Sequence, residues 1–445
     1  MERPLIMAAG IFAEGFKTTP FWWEAYDPST PDLHDIPKNA RVAIIGAGYA
    51  GLSAALELAK HNIDSVILDA EFPGFGGSTR NGGMVSGGVT IGKRYSGRNS
   101  PQEMQALLSD AAESYSVIES LIAEHKIDCE WRATGRIACA WAGSHYRAME
   151  KKISGLNEYA AAGARLMPRE SQRQHIGSDY YYGGLLVDRS AHLHPAKYFN
   201  GLFQLANANP LITIAAKASV ERLNKSGASW QIETSRGNLT AGDVLIATNG
   251  YTGKATPKLA ARLIPLGSYI IATEEMPEDL AHSILPTDRS AYDSRRVLTY
   301  YRMSGDRRRF IFGGRAKFGI HAPQDIAPIL HKQMVDRFPQ LADVKITHAW
   351  TGNVAFTFDE IPHMGEMDGL HYALGCNGSG VAMMTYLGRE AARKLAGLAN
   401  RRIAFDTDFP GSAFYNGKPW GKPWFVPFLG RYMRARDWLD RHITG

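Results

Sequence analysis

The sequence predicts an α/β protein made of two units, one organised around parallel strands with glycine-rich turns, the other a mostly antiparallel α+β unit. Three observations predict it. Near the N-terminus the apolar run Val42–Ile45 is followed by Gly46, Gly48 and Gly51, then by a helical face of Leu52, Ala55, Leu56 and Ala59. The same order of strand, glycine turn and helix returns at Leu370–Gly380, with a helix expected from about Val381 to Leu398. Between them, segments 211–249 and 256–345 alternate apolar and polar residues as paired strands do.

A chain of 445 residues exceeds one simple core and suits two domains. The net charge of +6 is modest for that length. Clusters such as Arg307–Arg309 and Arg401–Arg402 therefore read as solvated arginines near anionic ligands rather than as a nucleic-acid surface. Cys129, Cys139 and Cys376 show neither metal-ligand spacing nor a disulfide framework, which fits a reducing compartment. The apolar stretch at the N-terminus is too short for a secretory signal, and no run is long enough to span a bilayer. The expectation is a soluble, cytoplasmic protein.

Taken in order, residues 1–40 mix Pro20, Phe21, Trp22, Trp23 and Tyr26 with Pro28, Pro31 and Pro37 and are expected to form an irregular arm packed on the body. The glycine unit that follows has a mechanism for dinucleotide binding. Gly46 makes the tight turn off the strand, Gly48 has no Cβ to obstruct a pyrophosphate, and Gly51 lets the helix lie close to the strand. Ala47, Tyr49 and Ala50 complete the loop, and the helix N-terminus offers free N–H groups to phosphate. A second apolar run, Ser65–Leu68, ends at Asp69 and Ala70, about 20 residues beyond the glycines, where an acid meets ribose hydroxyls. The loop Phe72–Met84 lets backbone approach a flat ligand at Gly77, Ser78, Arg80, Asn81, Gly82, Gly83 and Met84.

Residues 101–126 have helical spacing, with Ser100 as cap and Pro101 in the first turn. Residues 127–141 read as strand, 143–164 as helix, and Pro195–Ala208 as helix. His192 and His194 share a strand face, which permits a metal pair, but no Cys or acidic cluster accompanies them and no metal is expected. Segment 211–249 closes on a buried strand ending at Thr248, Asn249 and Gly250. The expected division is an arm (1–40), a discontinuous cofactor domain (41–100, 185–255, 346–402), a substrate domain (101–184, 256–345) and a tail rich in Pro, Trp and Phe (403–445).

Four separated segments together resemble the D-amino acid oxidase family of flavoproteins: the first glycine unit, Ser78–Gly83, Ala247–Gly250, and Gly375–Val381 with its Cys-Asn-Gly-Ser-Gly core. The likeness covers nearly the whole chain. The arm, the phrase Gly74–Gly83 and His192-Leu-His-Pro195 are similar to the gamma-glutamylputrescine oxidase-like branch. The resemblance implies FAD, bound in a Rossmann-like domain of the glutathione-reductase type, with an antiparallel sheet roofing the substrate over the isoalloxazine. It implies oxidation of a carbon–nitrogen bond of a small amine or amino acid, with O2 or another acceptor taking the electrons.

The resemblance adds Val220 and Val381 to the cofactor set. Gly375 belongs to that set too, and the amide dipoles of Asn377, Gly378, Ser379 and Gly380, ahead of a helix, are expected to stabilise negative charge on the reduced ring. Lys317-Phe-Gly-Ile-His321 is similar to a stretch in monomeric sarcosine oxidases whose lysine promotes reaction with oxygen, which makes Lys317 and His321 catalytic candidates. Tyr300 and Arg302 share a face of a roof strand, where Arg302 is expected to hold a substrate carboxylate bidentately. Two departures stand out. Ala382 replaces the carboxylate-holding lysine of sarcosine oxidases, and the region around Gly352 has no cysteine to link the flavin, so FAD is expected to be non-covalent. Two other readings remain open: a dehydrogenase passing electrons to a membrane quinone, its tail Trp424–Arg434 lying at the interface, and a non-catalytic flavin-binding subunit of a complex.

Overall fold

The computed structural model describes residues 10–28, 34–86, 100–317, 321–418 and 423–443. The uncharged run at residues 42–45 pairs in parallel on both sides. Val42–Ile45 runs in register with Ser65–Leu68, and Asp243–Ile246 with Val42–Ile45. Ile212–Ala215 adds a further parallel strand beyond Ser65–Leu68, and Leu370–Leu374 pairs in parallel with Gly237–Ile246 at Leu245 and Ile246. Both glycine turns therefore leave the same carboxyl edge of one sheet, the edge at which open α/β sheets bind ligands.

Behind that edge the helices Tyr49–Lys60 and Gly380–Leu395 lie against each other. A glycine makes the approach possible: a Cβ at Gly388 would stand 2.1 Å from the carbonyl oxygen of Ala50. A Cβ at Gly51 would stand 2.0 Å from the carbonyl oxygen of Gly46, so Gly51 lets the first helix lie close to its own turn. Ser53 Oγ donates to Thr385 O at 2.7 Å, tying the two helices where they are closest to the turn.

The second sheet has nine strands, in the order Phe12–Lys17, Ile346–Thr357, Leu263–Thr273, Phe310–Gly314, Thr299–Met303, Ser290–Asp293, Arg136–Cys139, Gly184–Val187 and Arg165–Met167. Alternation divides its side chains. Tyr269, Ile271, Tyr301, Phe310 and Phe312 form a buried core with Ile326, Leu330 and Met334 of the helix Pro323–Arg337. Ser268, Ile270, Tyr292 and Tyr300 line a cavity on the other face. The helix Pro101–Glu124 begins as its sequence predicts. Ser100 Oγ accepts from Glu103 N at 3.2 Å and Glu103 Oε2 accepts from Ser100 N at 2.7 Å, a capping box worth about 1 kcal/mol.

Several expectations need correction. Strand Ile346–Thr357 belongs to the second sheet, paired along its length with Leu263–Thr273, so 346–402 is not wholly cofactor domain. Gly184–Val187 joins the same sheet, through Arg136–Cys139 and Arg165–Met167. Alternation announces a strand but not which sheet it enters. The arm is not wholly irregular, since Phe12–Lys17 is a parallel edge strand on Ile346–Thr357. The strand expected over 127–141 shortens to Arg136–Cys139, and the helix over 143–164 divides into Gly143–Glu150 and Ile153–Ala160. Val426–His442 in the tail is a helix.

Candidate active site

Two cavities, of about 370 Å³ and 240 Å³, adjoin each other, with Gly77, Asn81, Asn353, Val354, Cys376, Gly378 and Gly380 lining both; together they are called the cleft. The larger runs along the first glycine turn. It is lined by Gly46–Ala50, Asp69, Ala70, Ser78, Val220 and Thr248–Gly250. The smaller lies under the nine-stranded sheet and is lined also by Arg80, Gly82, Met84, Asn377, Ser379 and Val381.

Three features fit an FAD in this cleft. Gly48 caps the helix Tyr49–Lys60 and, having no side chain, puts no cap of its own between the helix end and the turn. A Cβ at Gly48 would close to 2.9 Å from Ser78 Oγ, the group that accepts from Tyr49 N at 3.0 Å. Asp69 lies across the turn, its Oδ2 accepting from Ala47 N at 2.8 Å and its Oδ1 from Glu71 N at 2.9 Å. A carboxylate has about four acceptor sites, so capacity remains for ribose hydroxyls. Burial is the main cause holding the Asp69 carboxyl above its ordinary range, with the two amides opposing it.

The loop 77–83 is braced from outside. Three indole N–H groups grip three consecutive residues, each at 2.8 Å: Trp23 donates to Thr79 Oγ1, Trp350 to Arg80 O, and Trp22 to Asn81 O. The Asn81 side chain closes the turn from within, donating to Ser78 O and accepting from Gly83 N, both at 2.8 Å. The sequence read Trp22 and Trp23 as packing only; each also carries one of these clamps.

The second turn is joined to the first sheet by a side chain. Asn249 Oδ1 accepts from Gly375 N at 3.0 Å and Cys376 N at 3.3 Å. Asn377 and Gly378 then adopt left-handed backbone, φ +46° and +89°, and a Cβ at Gly378 would meet nothing within 4 Å. That turn opens on the cleft and leads into the helix Gly380–Leu395. Gly51, Gly83 and Gly375 do not line the cleft; they set helix packing, the Asn81 turn and the Asn249 bridge.

Of the four catalytic candidates, the structure brings only Tyr300 to the cavity wall. Its hydroxyl lies 2.9 Å from Ser268 Oγ, and burial pushes its pKa up to about 12, so the phenol stays protonated in neutral solution. Arg302 shares its strand face but lies behind the loop. Its Nη1 donates to Leu193 O at 2.8 Å and to His192 Nδ1 at 3.1 Å, and the guanidinium covers the Trp22 ring at 5.1 Å. A carboxylate in the cavity does not meet it, and the expected role is corrected to bracing. Lys317 is exposed and outside the cavity lining, and His321 donates its backbone N–H to Tyr269 Oη at 2.7 Å. Residues 318–320 of that motif lie outside the described residues. His192 and His194 are buried singly. His192 donates Nε2–H to Asp288 O at 3.1 Å, and His194 Nδ1 accepts from Lys197 N as a helix cap.

The sequence missed Arg136, Tyr292 and Arg315, which all line the cavity. Arg136 carried a readable signal, a single charge in an otherwise apolar run that becomes a fully buried strand.

The model of an FAD dependent oxidoreductase family, DAO, matches residues 41–394. Gamma-glutamylputrescine oxidoreductase of Escherichia coli (strain K12) is 31% identical over 406 residues, covering 89% of this chain and 93% of the relative. Glycine oxidase from Geobacillus kaustophilus superposes with a TM-score of 0.72 at 17% identity, over 85% of this chain and 99% of that one. L-proline dehydrogenase from P. horikoshii does so at 0.67 and 16%, over 84% and 96%. The shared cleft, the paired glycine turns and the family match agree: the chain belongs to the DAO family of FAD-dependent oxidoreductases.

Proposed function

We propose that the protein oxidises the carbon–nitrogen bond of a small primary or secondary amine or amino acid, releasing an imine that water hydrolyses, and returns the electrons to O2 as H2O2. When bound, FAD supplies the two-electron acceptor for the hydride leaving the carbon. The observation that carries the reading is that the nucleotide cradle adjoins a side-chain-lined chamber across shared walls. The name of the E. coli relative makes gamma-glutamylputrescine the first amine to test.

The chain's own groups have definable tasks. Asn377, Gly378 and the free N–H groups opening the helix at Gly380 present positive dipole to the chamber. Tyr300, kept neutral, donates or accepts a hydrogen bond without exchanging a proton. Among the described residues lining the chamber Glu360 is the one carboxylate and no histidine is present; a neutral substrate nitrogen needs no further base, and rate then comes from orientation and exclusion of water. The stretch around Gly352 has no cysteine in its sequence, which supports non-covalent FAD, although Cys376 of the second glycine turn does line the cleft; the flavin is expected to pass into the supernatant when the protein is precipitated with acid. The test is an anaerobic screen of amines and amino acids against flavin absorbance, followed by peroxide assay in air. Fading with one amine class and one peroxide per turnover are expected; a flavin that no amine bleaches ends the reading.

A second reading concerns the acceptor. The helix Val426–His442 exposes Phe428, Tyr432, Leu439 and, just beyond it, Ile443 along one side, with Arg431 and Arg436 beside them. That pattern supports contact with an anionic lipid surface, and with it a membrane quinone as acceptor. Co-sedimentation with phosphatidylglycerol vesicles, lost in Phe428→Ser, together with a low peroxide yield, would favour it over O2.

A further inference from the structure

The second glycine turn is fastened from both sheets, and one of its fasteners has no task in the family assignment or in the proposed reaction. Along the turn the amides divide. Those of Gly375 and Cys376 both donate to Asn249 Oδ1, at 3.0 and 3.3 Å. That of Asn377 donates to Ala355 O, and that of Ser379 to Cys376 O, both at 2.9 Å. The N–H groups of Gly378 and Gly380 have no acceptor among the described residues, and both glycines line both cavities of the cleft. On the roof side Asn377 Oδ1 also accepts from Thr357 N at 3.1 Å, so the strand Ile346–Thr357 grips the turn through its own backbone. The nucleotide sheet grips it through one side-chain oxygen, that of Asn249. This residue follows the strand Gly237–Ile246, lines the cleft and holds left-handed backbone, φ +43°, a strained conformation that asparagine tolerates better than most residues. Its segment also backs the first glycine turn, where a Cβ at Gly46 would stand 2.9 Å from Ala247 O.

We propose that Asn249 is a positioning residue for electron uptake. By taking two N–H groups at the root of the turn, it aims the unengaged ones, of Gly378 and Gly380, at the flavin ring. It thereby sets how strongly the reduced ring is held relative to the oxidised one. Uptake of two electrons and one proton leaves the ring with one negative charge, and fixed N–H dipoles aimed at it favour that form over the neutral, oxidised one. A turn released from Asn249 loses the aim, and the loss falls on the reduced form. This role rests on the turn facing the ring, as proposed above, and on no choice of amine.

The test uses the FAD-loaded protein and measures the two-electron midpoint potential of the bound flavin against a reference dye, with FAD affinity and melting temperature read alongside. Asn249→Gly removes the amide and keeps the left-handed backbone without strain. It is expected to weaken the hold on reduced relative to oxidised flavin about tenfold, a fall of about 30 mV in a two-electron potential. An asparagine that only holds the fold together would weaken both forms alike and leave the potential where it was. Asn249→Ser, whose hydroxyl falls one bond short of the amide oxygen, should give a smaller fall and decides if Asn249→Gly is not folded. Where a variant holds flavin too weakly for potentiometry, titration with oxidised and with reduced FAD gives the same ratio. An unchanged ratio, or a rise in potential, overturns the proposal. Gly378→Ala separates this role from the placing of the turn. Its added carbon meets no protein atom within 4 Å, and its backbone, φ +89°, strains an alanine, so the turn is disturbed on the side of the cleft. If neither it nor Asn249→Gly moves the potential, the turn does not face the ring and both ideas fall. If Gly378→Ala moves the potential and the Asn249 variants do not, the turn stays with the flavin and only the role of Asn249 is lost.

Discussion

The nucleotide cradle and the substrate chamber share walls yet are built by different means. The cradle is backbone: Gly46 and Gly48 leave room, Gly378 supplies a left-handed turn, and the helix ends supply dipoles. The chamber is side chains, Arg136, Ser268, Tyr292, Tyr300 and Arg315, delivered by strands far apart in the chain and brought together only by sheet order. A cradle made of missing atoms tolerates almost no added one. A roof made of projecting atoms can be re-specified residue by residue while the cofactor stays in place.

The comparison is broken most forcefully at Gly51. Gly51→Val places a Cβ 2.0 Å from Gly46 O and should destabilise the fold by more than about 3 kcal/mol, yielding colourless protein. Stable yellow protein would show that the helix need not lie as close to the glycine turn as the geometry implies. Next comes Arg302, which the structure assigns to bracing. Arg302→Met strands the carbonyl of Leu193 and the acceptor of His192 and should cost roughly 2–3 kcal/mol in denaturant unfolding. Substrate KM in the surviving protein should be unchanged; a large KM increase would return Arg302 to the chamber.

A smaller effect follows from the two buried histidines behind the loop. Burial first, then Arg302, holds His192 well below its ordinary 6.5, and the same causes bring His194 to about 3. Both folded pKa values are depressed, so their contribution to stability is full above pH 6.5 and falls as pH drops, because only the unfolded imidazoles take up protons. Each should cost about 1.4 kcal/mol per pH unit below that point. Melting curves between pH 7.5 and 5.5 should slope accordingly, and less steeply in His192→Gln; a flat profile would show the pair to be solvated. The smallest expected change is at Lys317. Exposed and outside the chamber, it should alter flavin reoxidation less than about twofold when replaced by Met, whereas a tenfold slowing would restore its oxygen-activating role.

The same contrast explains what the sequence revealed. Glycine spacing is a local property, so Gly46–Gly51, Asp69 and Gly375–Gly380 were legible, as was the Ser100 cap. Tyr300 and Arg302 were correctly placed on one strand face, but alternation does not say whether a face ends in a cavity or behind a loop. Arg302 lies behind Gly83, whose Cβ would stand 3.0 Å from its Nη1. Arg136 was passed over because a strand's neighbours determine what an isolated charge can reach, and its neighbours, Ser290 and Val187, lie far away in sequence.

The three indole clamps have a bearing on how the molecule is made. Trp22 and Trp23 leave the ribosome before the loop they grip, but Trp350, and the strand on which Phe12–Lys17 docks, follow that loop only about 270 residues later. The nascent chain therefore holds a half-fastened cofactor loop while that stretch is made. A bulky fusion ahead of Phe12 is expected to impair cofactor loading more than one placed after the last helix.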